Sequence, residues 1–75
     1  MTRLEAALQA LGLTGEVTHG GRWITVQGER CRVYVVESLG RGYFTWCDDP
    51  LTRAVEAYPD AVEAIHAGLR RAERR

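Results

Sequence analysis

The chain has no lysine and no asparagine, and only two cysteines, two prolines and one methionine among its 75 residues. Apart from histidine, every basic side chain is therefore an arginine. That uniformity reads as the codon bias of a GC-rich bacterial genome, because heat adaptation favours lysine and glutamate. It limits the weight that any single arginine can carry. Cys31 and Cys47 form no Cys-x-x-Cys and no Cys/His pair at zinc-ligand spacing, and the two histidines, His19 and His66, stand far apart. Neither a disulfide framework nor a structural metal site is expected, and no cofactor-binding motif is present. Long apolar runs are also missing. Met1-Thr2-Arg3-Leu4-Glu5 opens a polar segment, which argues against a signal peptide or a membrane span and makes the expected location cytoplasmic, where thiols stay reduced.

A chain this short makes one small domain, here residues 1–75, and buries only about 60–65% of the surface its unfolded form exposes. Without disulfides or a metal, the remaining sources of stability are tight packing and self-association. Formal charge is zero, but the tail Arg70-Arg71-Ala72-Glu73-Arg74-Arg75 holds four arginines against one glutamate, which leaves the rest of the chain three units negative.

What is present is a change of period. Thr2-Arg3-Leu4-Glu5 has capping-box spacing, and Leu4, Ala7, Leu8 and Leu11 recur at helical intervals until Gly12, which predicts a helix over 3–11. From Glu16 the period becomes two. Gly20-Gly21 is expected to turn between strands 16–19 and 22–27, and Gly28-Glu29 suits a type II′ turn that would set Gln27 opposite Arg30, Thr25 opposite Arg32 and Trp23 opposite Tyr34. The third strand, 30–37, returns through Ser38-Leu39-Gly40-Arg41-Gly42 as Tyr43–Cys47. A three-residue loop would place Cys31 opposite Cys47, whereas a two- or four-residue loop gathers Val33, Val35, Phe44 and Trp46 on one face. The second register is favoured, because a one-residue slip would split the apolar set, and it separates the two cysteines.

Asp48-Asp49-Pro50 reads as a helix start with Asp49 as the cap. Helices over 50–57 and 59–73 are expected, with a fifth strand over 53–58 as the alternative, since the residue before Pro59 prefers extended geometry. The fold class is thus α+β: an N-terminal helix, a four-stranded antiparallel meander, and a C-terminal helix or helix pair on one sheet face. The expected core joins Ile24, Val26, Val33, Val35, Phe44 and Trp46 to Leu8, Leu11, Ile65 and Leu69.

The sequence offers little for catalysis. Cys47 is followed by two carboxylates that would raise a thiol pKa rather than activate it, and neither His19 nor His66 has a partner at a spacing that ties them together. No enzyme activity is expected. Phosphate contacts through Arg30, Arg70, Arg71 and Arg74 are conceivable, though arginine in a last helical turn also suits the helix dipole.

The informative feature is the sheet face opposite the expected core, which carries Trp23, Thr25, Arg32, Tyr34 and Tyr43 as the expected interaction surface, with Gln27, Arg30, Val36, Thr45 and Cys47 around them. Aromatic and arginine side chains dominate binding hot spots; the alternative is that a helix crosses this face and makes it a second core. A small antiparallel sheet with Trp and Arg facing out and a helix behind resembles, in topology, plant-type and integrase-type sheet DNA-binding modules, and that resemblance implies nucleic-acid contact through the outer face. Electrostatics orders the two readings. Neutralising phosphates needs a basic surplus, which the chain lacks outside its tail, so a protein partner or a second copy leads and nucleic acid follows.

Overall fold

In the computed structural model, which describes residues 2–38, 42–47 and 56–73, Thr2 caps helix α1 (Arg3–Leu11). The Thr2 hydroxyl accepts the Glu5 N–H at 3.2 Å, and the Glu5 carboxylate accepts the Thr2 N–H at 3.1 Å. Gly12 closes the helix in the left-handed conformation, at φ 65°, which glycine adopts without steric cost.

Five strands follow in an antiparallel sheet whose spatial order is the chain order. They are β1 (Gly15–Thr18), β2 (Trp23–Gln27), β3 (Arg32–Glu37), β4 (Phe44–Cys47) and β5 (Ala57–Tyr58), and helix α2 (Ala61–Glu73) ends the described chain. The first turn is a single 3₁₀ turn, His19–Gly21. Its second glycine is fixed by packing as well as by backbone angle. A Cβ on Gly21 would lie 2.4 Å from the Thr2 methyl, and the Gly21 carbonyl accepts the Thr2 hydroxyl at 2.8 Å.

The β2/β3 hairpin differs from the expected type II′ turn. Gln27 pairs with Arg32, Thr25 with Tyr34 and Trp23 with Val36, and Gly28 donates to the Cys31 carbonyl at 2.8 Å. The tip is therefore Glu29-Arg30, and Gly28 is not among the glycines with positive φ. What Gly28 provides is room: a Cβ there would stand 2.6 Å from the Glu73 carboxylate and 3.1 Å from Leu69, and Glu73 accepts the Glu29 N–H at 2.8 Å. The pairing moves by two residues, so every side chain keeps its expected face.

The β3/β4 hairpin has the favoured parity. Val35 pairs with Trp46 and Glu37 with Phe44, and Ser38 donates to the Tyr43 carbonyl, so Ser38 and Tyr43 extend the same pairing. Cys31 packs toward the core while Cys47 pairs with Tyr34 on the other face, and neither is in a disulfide.

Residues 48–55, including the expected cap at Asp49 and Pro50, lie outside those described. The expected helix over 50–57 is corrected at its end, because Ala57 and Tyr58 are extended and pair with Thr45 and Phe44. The geometry that Pro59 imposes on the residue before it favours that outcome, and the sheet has five strands rather than four. The last helix begins at Ala61 rather than Pro59: Asp60 caps it, its carboxylate accepting the Val62 N–H at 3.2 Å.

Both helices lie on one face of the sheet. Leu4, Ile24, Val26, Val33, Val35, Phe44 and Ile65 are fully buried between the layers, and Leu11, Trp46 and Leu69 pack at the margin. The inner face of α2 is built from small residues, Ala61, Ala64, Gly68 and Ala72. A Cβ on Gly68 would meet Val33 at 2.7 Å and Trp46 at 3.1 Å, so glycine sets how closely the helix approaches the sheet.

Candidate contact surface

Register alone decides what the outer face presents. One cross-strand row runs Thr18, Trp23, Val36, Thr45 and Ala57; the next runs Glu16, Thr25, Tyr34 and Cys47; a third holds Gln27 and Arg32. Among the described residues, neither helix covers this face, since both pack against the side chains of opposite parity. Trp23, Thr25 and Tyr34 are half-buried, Arg32 is exposed and Cys47 is buried. Tyr43, just before β4, shares the parity of Thr45 and Cys47 and is half-buried.

The rings form a connected row. Trp23 and Tyr34 are diagonal neighbours rather than directly opposite, with centroids 6.1 Å apart and planes at 63°, an edge-to-face contact. Such a contact contributes roughly 0.5–1.5 kcal/mol beyond area burial. His19 extends the row, its ring 5.7 Å from Trp23 and tilted at 51°. The sequence marks His19 as a residue before the Gly20-Gly21 turn and as a candidate base without a partner, not as a neighbour of Trp23. Its backbone sits at φ 53°, a left-handed conformation in which histidine is enriched, and this conformation brings the imidazole beside the indole. The glycine pair that follows His19 was the available signal.

Two open clefts flank the ring pair. One, of about 390 Å³, is polar and is lined by Glu16, Thr25, Gln27, Arg32 and Tyr34. The other, of about 340 Å³, is more apolar and is lined by His19, Arg22, Trp23, Val36 and Glu37. Each lies near the lower limit of small-ligand pockets. Arg32 has no ion-pair partner among the described residues, and Glu16 stands two strands away on the same face.

The arginines considered for phosphate contact are dispersed. Arg30 is at the exposed β2/β3 tip, Arg70 and Arg71 are on α2 behind the sheet, and Arg74 lies outside the described residues. Arg71 is engaged by Glu56 at 3.3 Å, beside a cavity of about 230 Å³ that Tyr58 and Arg70 also line. The Tyr58 hydroxyl donates to the other Glu56 oxygen. This bond, and then the Arg71 guanidinium, hold the Glu56 carboxyl below its usual range, while the same bond pushes the Tyr58 hydroxyl up. The trio ties β5 to α2.

No known family, curated protein or solved structure matches the chain. The functional argument therefore rests on the site itself. His19 is on the outer face and His66 is exposed on α2, so the two imidazoles are on opposite sides of the sheet. No group of three or more metal-binding side chains occurs among the described residues. No described helix is long and apolar enough to cross a membrane.

Proposed function

We propose that the protein is a binding module, acting by contact rather than catalysis, and that its outer sheet face docks another polypeptide. The observation that carries this reading is the connected ring row His19, Trp23 and Tyr34 on a face that the two helices leave uncovered. A sheet face that only meets water needs no such row, whereas Trp and Tyr flanked by Arg and Thr are the residues that anchor protein interfaces. The face is amphipathic, with apolar rings at its centre, Thr25 and Gln27 to exchange hydrogen bonds, and Arg32 to meet a carboxylate. A partner chain with an apolar anchor and a nearby acidic side chain fits that chemistry.

Nucleic acid fits less well. The outer face sets Arg32 against Glu16, while Arg70 and Arg71 are behind the sheet, so among the described residues phosphates would meet no continuous basic surface.

Site-specific photo-cross-linking in cells tests the reading. A photoreactive side chain at Tyr34 is expected to give discrete adducts with another polypeptide that one at Glu63, on the exposed side of α2, does not give. Equal labelling from both positions, or adducts only with nucleic acid that vanish in Arg32→Ala, would overturn it.

A further inference from the structure

The edge of the sheet carries a second surface. Among the described residues, β1 pairs with β2 alone, all four of its residues are exposed, and Val17, 41% exposed, is the exposed large hydrophobic side chain. Natural edge strands are usually guarded by lysine, proline or a bulge. Gly15-Glu16-Val17-Thr18 has one charge and neither of the other devices.

The hydrogen-bond phase of this edge is fixed from two sides. Gln27 donates to the Thr14 carbonyl at 3.0 Å, whereas Glu37 donates to the Arg22 carbonyl and Gly28 to the Cys31 carbonyl. Bonded pairs alternate along antiparallel strands, so Trp23, Thr25 and Gln27 bond toward β1 while Arg22, Ile24 and Val26 bond toward β3. On β1 the residues facing β2 are therefore Thr14, Glu16 and Thr18, and the amides and carbonyls of Gly15 and Val17 point to the open edge.

We propose that the protein forms a two-fold dimer in which β1 pairs antiparallel with β1 of a second copy about Val17. A two-fold axis normal to an antiparallel pair can pass through a bonded or a non-bonded pair, so charge and side-chain face choose the register. Centring on Glu16 would bond Gly15 to Val17 of the partner subunit but would set two carboxylates face to face across a non-bonded pair, where like charges destabilise. Centring between residues would put core-side groups opposite outer-side ones. Centring on Val17 avoids both faults: the two Val17 residues form a bonded pair, the exposed valine side chains meet on the axis, and Glu16 falls opposite Thr18 of the partner subunit. The product is one continuous sheet with both ring rows on the same side. It also extends a core that a 75-residue chain keeps small. The dimer rests on the edge and stands whether or not the outer face takes a partner.

Light scattering and sedimentation of the full chain test it. The wild type is expected at twice its 8.4 kDa mass. Val17→Pro removes an outward N–H that β2 does not use, and Val17→Lys sets like charges on the axis with the backbone intact. Each is expected to keep the circular-dichroism spectrum and to raise the dimer dissociation constant at least about tenfold. Val17→Cys is expected to oxidise to a covalent dimer, while Trp23→Ala stays dimeric. A wild type that is monomeric at millimolar concentration, a dimer unaffected by Val17→Lys, or a Val17→Cys variant that forms no covalent dimer under oxidation would overturn the proposal. Loss of the dimer in Trp23→Ala with Val17→Lys unaffected would move the interface to the outer face.

Discussion

The same five strands make two faces that differ in almost every respect. On the inner face, Ile24, Val26, Val33, Val35 and Phe44 are sealed against Leu4 and Ile65, with alanines and a glycine on α2 permitting close approach. On the outer face, side chains of comparable or larger size, Trp23, Tyr34 and Val36, stay partly open, and Trp23 and Tyr34 touch each other while neither described helix covers them. Alternation alone produces both, since each strand sends successive residues to opposite sides. The contrast separates two uses of apolar surface: the inner face stabilises the fold, and the outer face carries the ring row on which the proposed contact rests.

The sharpest way to break that contrast is to remove side chains from the inner face. Phe44→Ala is expected to cost about 3–5 kcal/mol, the range for an aromatic side chain lost from a core, and a domain of this size has little more than that to lose. Val33→Ala, which would also leave a gap beside Gly68, is expected to cost on the order of 1–3 kcal/mol. Urea unfolding measures both, and values below about 0.5 kcal/mol would show that the inner face is not the principal core.

Much of this contrast was legible in the sequence because parity is robust to small errors. The capping box at Thr2 and Glu5, the bounds of α1, and the grouping of Val33 and Val35 with Phe44 and Trp46 all follow from local spacing. Misreading Gly28 as a turn glycine left the two faces intact, because the pairing moved by two residues rather than one. What sequence could not supply was the tertiary cause of individual residues. Gly28 and Gly68 answer to the approach of α2, Gly21 answers to Thr2, and Leu4 is buried only because the helix axis turns it inward. β5 was legible only as the alternative that Pro59 suggests over 53–58, because a two-residue strand has no period to detect. The ring row was only half legible, since His19 joins it through a left-handed backbone.

Smaller effects sharpen the picture at the margins of the core. Thr2→Ala removes the α1 cap and its bond to Gly21 and is expected to cost about 1 kcal/mol, read as a lower unfolding midpoint with unchanged slope. The Glu56–Tyr58 bond gives stability a pH dependence at both ends. The Glu56 carboxyl is held low, first by the Tyr58 hydroxyl and then by Arg71. Its contribution is therefore present above the unfolded glutamate pKa and is lost as pH falls through the lowered one. The Tyr58 hydroxyl is pushed up by the same bond, so its contribution is present below the unfolded tyrosine pKa and is lost as pH rises through the raised one. Tyr58→Phe is expected to flatten both limbs of a stability-against-pH profile, and an unchanged profile would remove the bond from the account.

The central claim, that the outer face is an uncovered contact surface and not a second core, is tested most directly by the unfolding free energy of Trp23→Ala. Trp46 remains as the fluorescent reporter beside the core. The structure predicts a loss smaller than that of Phe44→Ala, because Trp23 keeps part of its surface open and gives up only the area it already covers together with the edge-to-face contact, about 0.5–1.5 kcal/mol. A loss of about 3–5 kcal/mol, the scale of an aromatic side chain removed from a packed interior, would mean that Trp23 is core and would contradict the claim.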